Sequence, residues 1–295
     1  MKINPVYLKD LKLNVRSMKF AMIIFTYNLC LGLVIILFMY VSMHNITGQL
    51  VFNYENCERL YSIISGIELG SIFFIVPALT VGTVAGEREK RTLDLLLVSK
   101  LSPFHIICGK MSYVVTIIFI LIISDFPLTA MVAVTGSIDI KIQWQLLILL
   151  LVTSLYIASI GVFFSTIKKS TIAATLWTYG VILLITIGTV VIYNLNGYVL
   201  EDMKVHSANE FNGIYYTFLF NPLATYVYMF SNTRQGAIAD WIPTYMENNW
   251  VELSIFFQLA ISVTLLGVSA MHLTPGTVDT KLPFWHKKDK KRKTL

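Results

Sequence analysis

The 295 residues are 56% hydrophobic and only 14% charged, with a mean hydropathy of +0.68, a balance that excludes an ordinary soluble globular domain and puts most of the chain in lipid. The net charge of +6 comes from 23 basic and 17 acidic residues. Three cysteines without a CxxC pair and five scattered histidines exclude a disulfide framework or a metal site as the organising feature.

The first predicted element is a helix over 4–19. Asn4-Pro5 reads as an N-cap followed by proline at the first helical position. Leu8, Leu11, Val15 and Met18 recur at helical spacing, with Lys9, Lys12, Arg16 and Lys19 on another face. Such an amphipathic helix is expected to lie along a membrane leaflet. Six apolar stretches follow, at about 20–42, 61–85, 111–135, 144–166, 171–194 and 251–272, each long enough to cross a bilayer, which takes about 20 residues. The first is too long for a signal peptide and lacks a small-residue cleavage site, so it reads as a retained span.

Residues 211–230 are also uncharged, but Asn221-Pro222 would break a helix at its middle. A seventh span would also carry the basic tail to the outer side. The segment 195–250 is therefore expected outside, with an aromatic portion that hugs or re-enters the membrane. Trp144, Trp241 and Trp250 suit an outer interfacial belt. With six spans and an inner N-terminus, only Arg59, Lys141, Lys204 and Arg234 of the 23 basic residues fall outside, the bias expected of cytoplasmic loops. Both termini are thus expected in the cytoplasm of a bacterial cell, at its cytoplasmic membrane. The tail 273–295, ending in HKKDKKRKTL, reads as an anchor for anionic lipid headgroups. It is too short, and too poor in aromatics, to read as a nucleic-acid site.

Two carboxylates fall inside predicted spans. Glu68 shares a helical face with Ser62, Ser65 and Ser71, and Asp125 stands beside Ser124, two residues before Pro127. Charges at that depth face a bundle interior or a water-filled cavity. The two are candidates for a substrate pathway or gate, or else buried hydrogen-bonding partners.

Residues 77–110, PALTVGTVAGEREKRTLDLLLVSKLSPFHIICGK, join the second and third spans through a mixed-charge turn and a short leucine-rich helix. Leu93, Leu96 and Leu97 share a face, able to press into a groove while Glu87, Arg88 and Glu89 set register against a partner's charges. This string resembles the corresponding loop of type-2 ABC transporter permeases, whose usual form is close to GERERGTLDLLL followed by LSP and then GK. Arg91 stands where that pattern commonly has glycine. The resemblance covers essentially the whole chain. It implies an all-α integral membrane fold of the type V exporter kind, with six transmembrane helices, an N-terminal interfacial elbow helix at 4–19 and a cytoplasmic coupling helix within 87–109. It further implies a second permease, identical or related, and two ABC ATPase subunits.

The only Gly-Lys pair, Gly109-Lys110, is followed by Met111 and has no glycine five positions before it, so it is not a phosphate-cradling GxxxxGK[ST] loop. This chain is expected to bind no cofactor and to hydrolyse nothing; ATP and Mg²⁺ belong on the partner ATPase. The expected function is export of a substrate driven by that partner. Competing readings are an ion-coupled secondary transporter or channel built on Glu68 and Asp125, and a non-transporting scaffold or immunity protein. Internal repeats, common in secondary transporters, are not evident.

Overall fold

The computed structural model describes residues 5–43, 54–93, 102–136, 138–192, 194–195, 213–232 and 249–273. Among them every regular element is helical and none is a strand. In chain order they are α1 (Pro5–Val15), α2 (Met18–Met43), α3 (Tyr54–Val81), the short α4 (Ala85–Glu89), α5 (Pro103–Thr135), α6 (Ile140–Ile167), α7 (Thr171–Ile192), a 3₁₀ segment at Gly213–Phe220, α8 (Pro222–Asn232) and α9 (Trp250–His272). Six of them, α2, α3, α5, α6, α7 and α9, are long and apolar enough to cross a membrane.

Helix α6 is the hub, with 67% of its most apolar window buried, against 6% for α2. Small residues make that position possible. Ser154, Ala158 and Ser165 are wholly buried along one side of α6, and a Cβ added at Gly161 would stand 2.8 Å from the Cβ of Thr80 on α3. Where lipid tails are as apolar as leucine, close backbone approach of this kind supplies the packing that holds helices together. A polar chain fixes α6 to the outer elements. Gln258 of α9 accepts from Thr153 Oγ1 at 3.3 Å and donates to Ser254 Oγ at 3.0 Å, and Ser254 donates to the Leu219 carbonyl.

Several boundaries differ from the sequence reading, each for a local reason. The first helix ends at Val15 and not at 19, because Ser17 accepts from the Phe20 amide at 3.2 Å and starts α2. Helix α3 begins at Tyr54 rather than 61. Helix α5 begins at Pro103 rather than 111: Ser102 accepts from the His105 amide and Pro103 takes the first helical position. Its 33 residues span about 50 Å, well beyond a hydrocarbon core of about 30 Å, so apolar composition marked only its embedded part. Residues 103–109, assigned above to the coupling segment, belong to this helix.

Asn221-Pro222 breaks the segment as expected, between the 3₁₀ segment and α8, and it also opens α8. Asn221 Oδ1 accepts the amides of Leu223 and Ala224, and its Nδ2 donates to the Thr186 carbonyl at 3.1 Å and to Thr189 Oγ1 at 2.8 Å. Thr186 lies in a π-helical turn of α7, Leu184–Gly188. Residues 213–232 pack into the bundle, with Phe218, Leu219 and Phe230 buried and Tyr226 Oη bonded to the Ser62 carbonyl and to Ser65 Oγ. Trp250 is 1% exposed, at the start of α9 beside Tyr228, so it belongs to the core and not to an interfacial belt. Trp144 is exposed, and Trp241 lies outside the described residues.

Candidate functional site

The loop between α3 and α5 is fastened to the turn between α6 and α7. Ser165, in the last turns of α6, donates to the Val81 carbonyl at 2.6 Å and accepts from the amides of Val84 at 3.1 Å and Ala85 at 2.9 Å. One hydroxyl thus satisfies the carbonyl that ends α3 and two amides that begin α4, groups a helix cannot satisfy internally. Arg88 then reaches across the turn. Its Nη1 donates to the Lys168 carbonyl and its Nη2 to the Thr166 carbonyl, both at 3.0 Å. The guanidinium fork closes the C-terminal end of α6, where partial negative charge collects. Next in sequence, Glu89 Oε1 accepts from the Thr171 amide at 2.7 Å and from Thr171 Oγ1 at 3.0 Å. This places a carboxylate on the positive N-terminal end of α7.

A third tie runs to α5. Lys110, only 2% exposed, donates to Glu87 Oε1 at 2.8 Å and to the Thr83 carbonyl at 2.6 Å. A lysine so enclosed requires a paired carboxylate. The Asp10 carboxyl of α1 lies within the same field: burial raises it above the usual carboxylate range, Lys110 pulls it back and Glu87 pushes it up. Five elements therefore meet through α4, which is one and a half turns long.

The exit from α4 also explains the unusual residue at 91. Arg91 has φ of 57°, its amide donates to the Arg88 carbonyl at 3.1 Å, and the Thr92 amide donates to the Glu87 carbonyl at 2.9 Å. This double closure is a Schellman motif with Arg91 in the left-handed position that favours glycine. The turn forms without the glycine, at a conformational cost.

Sequence reasoning gave Glu87, Arg88 and Glu89 to a partner's charges; the structure spends them within the chain, on Lys110, on the end of α6 and on the start of α7. Leu93 is 4% exposed and part of the chain's own core. Leu96 and Leu97 lie outside the described residues. Lys110, Ser165 and Thr171 were not singled out from sequence. A serine in an apolar span and the Ser170-Thr171 pair opening a helix were the available signals, and Ser170 does accept from the Ala173 amide at 3.2 Å.

The two embedded carboxylates come together. Lys110 bonds beside Thr83 at one end of the α3–α5 pair, and at the other a Cβ at Gly136 would stand 3.2 Å from the Cys57 carbonyl carbon. Antiparallel registration between those points puts Glu68 and Asp125 level, about 16 Å inside the Gly136 end. Both are buried and border one cavity with Ser65, Thr129 and Gln143. Asp125 Oδ2 accepts from Tyr27 Oη of α2 at 3.1 Å. Of the serines placed on the Glu68 face, Ser65 borders the cavity, while Ser62 and Ser71 donate to carbonyls of their own helix.

The family model described as ABC-2 family transporter protein matches residues 4–274. No curated protein matches the chain.

Proposed function

This chain belongs to the ABC-2 transporter family, and from that premise we propose that it is the permease subunit of an ATP-driven exporter in the cytoplasmic membrane, worked by separate ABC ATPase subunits. Membership makes it a multi-pass membrane transport subunit that associates with such ATPases. Export direction, ATP coupling, both termini in the cytoplasm and a two-plus-two assembly with a second permease are this reading's additions. The ATP and Mg²⁺ would reside on the ATPase, since the sequence has no GxxxxGK[ST] loop.

The observation that carries the reading is the fastening of α4. A cytosolic engine moves membrane helices only through a stiff contact. Here a displacement applied to the loop is delivered at once to α3 and α6 through Ser165, to α5 through Lys110, and to α7 through Glu89. In this scheme Glu87, Arg88 and Glu89 transmit force inside the permease, Leu93 seats the loop in the core, and Leu96 and Leu97 provide the grip on the ATPase. The largely unburied α2 offers its apolar surface to lipid or to a second permease.

The test is expression with and without an ABC ATPase that carries the phosphate-binding loop. The permease should co-purify with the ATPase, and the purified permease alone should hydrolyse no nucleotide. Hydrolysis by the lone chain contradicts the reading.

A further inference from the structure

The cavity between Glu68 and Asp125 has a composition that transport by a separate engine does not require. Helices α3, α5 and α6 line a partly open cavity of about 40 Å³ there, bordered by Tyr61, Ser65, Glu68, Asp125, Thr129 and Gln143 among others, with no Lys, Arg or His on its wall. Glu68 is 5% exposed, and among the described residues its Oε1 has no hydrogen-bond partner. Asp125 is 2% exposed and has the single phenolic donor Tyr27.

Two carboxyl groups at mid-membrane depth without a cationic neighbour must be neutralised, by protons or by a bound cation, because an isolated ion at that depth is prohibitively costly. A shared proton draws the two oxygens to within about 2.7 Å of each other and leaves no need for a void. A void is nevertheless present, and its volume accommodates one water-sized occupant. Two of the hydroxyls on its wall, those of Ser65 and Thr129, already donate to carbonyls of their own helices. Ser65 Oγ donates to the Tyr61 carbonyl at 2.8 Å, and Thr129 Oγ1 donates to the Phe126 carbonyl at 3.1 Å. Their lone pairs, and not their protons, remain for an occupant. Such a lining, with carboxyl, hydroxyl and amide oxygens and neither imidazole nor thiolate, suits a hard cation. Among the described residues no three of His, Cys, Asp and Glu gather as a transition-metal site would need.

We propose that this cavity binds one small monovalent cation, ligated by Glu68 Oε1 and Asp125 and completed by the oxygens of Ser65, Thr129 and Gln143, with the carboxyl pair keeping one proton so that the occupied site is neutral. The site lies in the membrane part of a single permease and is independent of how the ATPase docks.

The experiment uses the full-length chain in lipid nanodiscs. Its thermal unfolding midpoint is followed during titration with LiCl, NaCl, KCl, MgCl₂ or CaCl₂, with choline chloride holding ionic strength constant. One alkali cation should raise the midpoint saturably, by about 5 °C when well above its dissociation constant. Glu68→Gln and Asp125→Asn should each weaken the apparent affinity at least tenfold, and Thr129→Val should weaken it less. Direct binding of ²²Na⁺ or ⁸⁶Rb⁺ to the wild-type chain provides a readout that does not depend on any variant folding. No alkali-cation response and no radiolabel binding between pH 6 and 9 overturns the proposal in favour of protonated carboxyls. A response only to Mg²⁺ or Ca²⁺, or shifts unchanged in both carboxylate variants, also overturns it.

Discussion

Arg88 and Glu89 are consecutive in the sequence and close opposite ends of the same turn: the guanidinium donates to the last carbonyls of α6, and the carboxylate accepts the first amide of α7. The α6–α7 turn, too short to be a docking element itself, thereby becomes the receiving half of a joint whose other half is the loop after α3.

Replacing Arg88 with alanine leaves the Thr166 and Lys168 carbonyls without the donors they have here. Two bonds from a charged donor are lost at a partly buried site, so stability should fall by about 2 kcal/mol. Arg88→Lys should recover less than half of that, because one ammonium lacks the fork that spans both carbonyls. Thermal unfolding of the detergent-solubilised permease checks both, and equal midpoints for Arg88→Lys and wild type would contradict the forked geometry.

Arg91→Gly should stabilise the protein. Residue 91 is held at φ of 57°, a conformation that costs a residue with a Cβ about 1 kcal/mol and glycine little. The unfolding midpoint should rise, with co-purification unchanged. A lower midpoint would mean that the Arg91 side chain contributes more than its backbone costs.

Gly161→Ala and Gly70→Ala should behave differently although both are helix substitutions. At Gly161 the new methyl meets the Thr80 Cβ, which cannot swing away; at Gly70 there is nothing within 4 Å. The first should cost about 1–3 kcal/mol by forcing α3 from α6, and the second should be neutral or slightly stabilising. Parallel melts of the two variants decide it.

Leu96→Asp combined with Leu97→Asp should insert normally in the membrane and fail to hold the ATPase, since two unpaired charges would be buried at the contact. A weakening on the order of 100-fold is expected, read by co-purification. Undiminished recovery of the ATPase would remove these leucines from the grip.

The spans were legible because about 20 apolar residues in a row have few other uses, and the junction's location was legible because GEREKRTLDLLL breaks that pattern with ordered charge. The destination of those charges was not. Nothing in the order Glu87-Arg88-Glu89 says whether a carboxylate meets a partner protein, a buried lysine or a helix end. That is settled by Lys110, 23 residues away, and by Thr166, Lys168 and Thr171, some eighty residues away, being brought to the same end of the bundle. Asn221-Pro222 was legible as the break that keeps 211–230 from being a single span, but not as the start of a helix packed into the bundle. The pair stops one helix or starts another with equal ease, and the partners that hold its side chain, the Thr186 carbonyl and Thr189 Oγ1, lie on α7, 35 and 32 residues earlier. Glu68 and Asp125 were legible singly as costly charges, but their common depth follows from the antiparallel registration of α3 and α5.

The central claim is that the α4 joint carries motion between the ATPase and the bundle, and it is tested most directly by permease-stimulated ATP hydrolysis in the assembled complex carrying Arg88→Ala and Glu89→Ala together. The variant complex should assemble, because Leu96 and Leu97 are intact, while its hydrolysis rate falls to that of the ATPase alone. Assembly with wild-type stimulation would contradict the account.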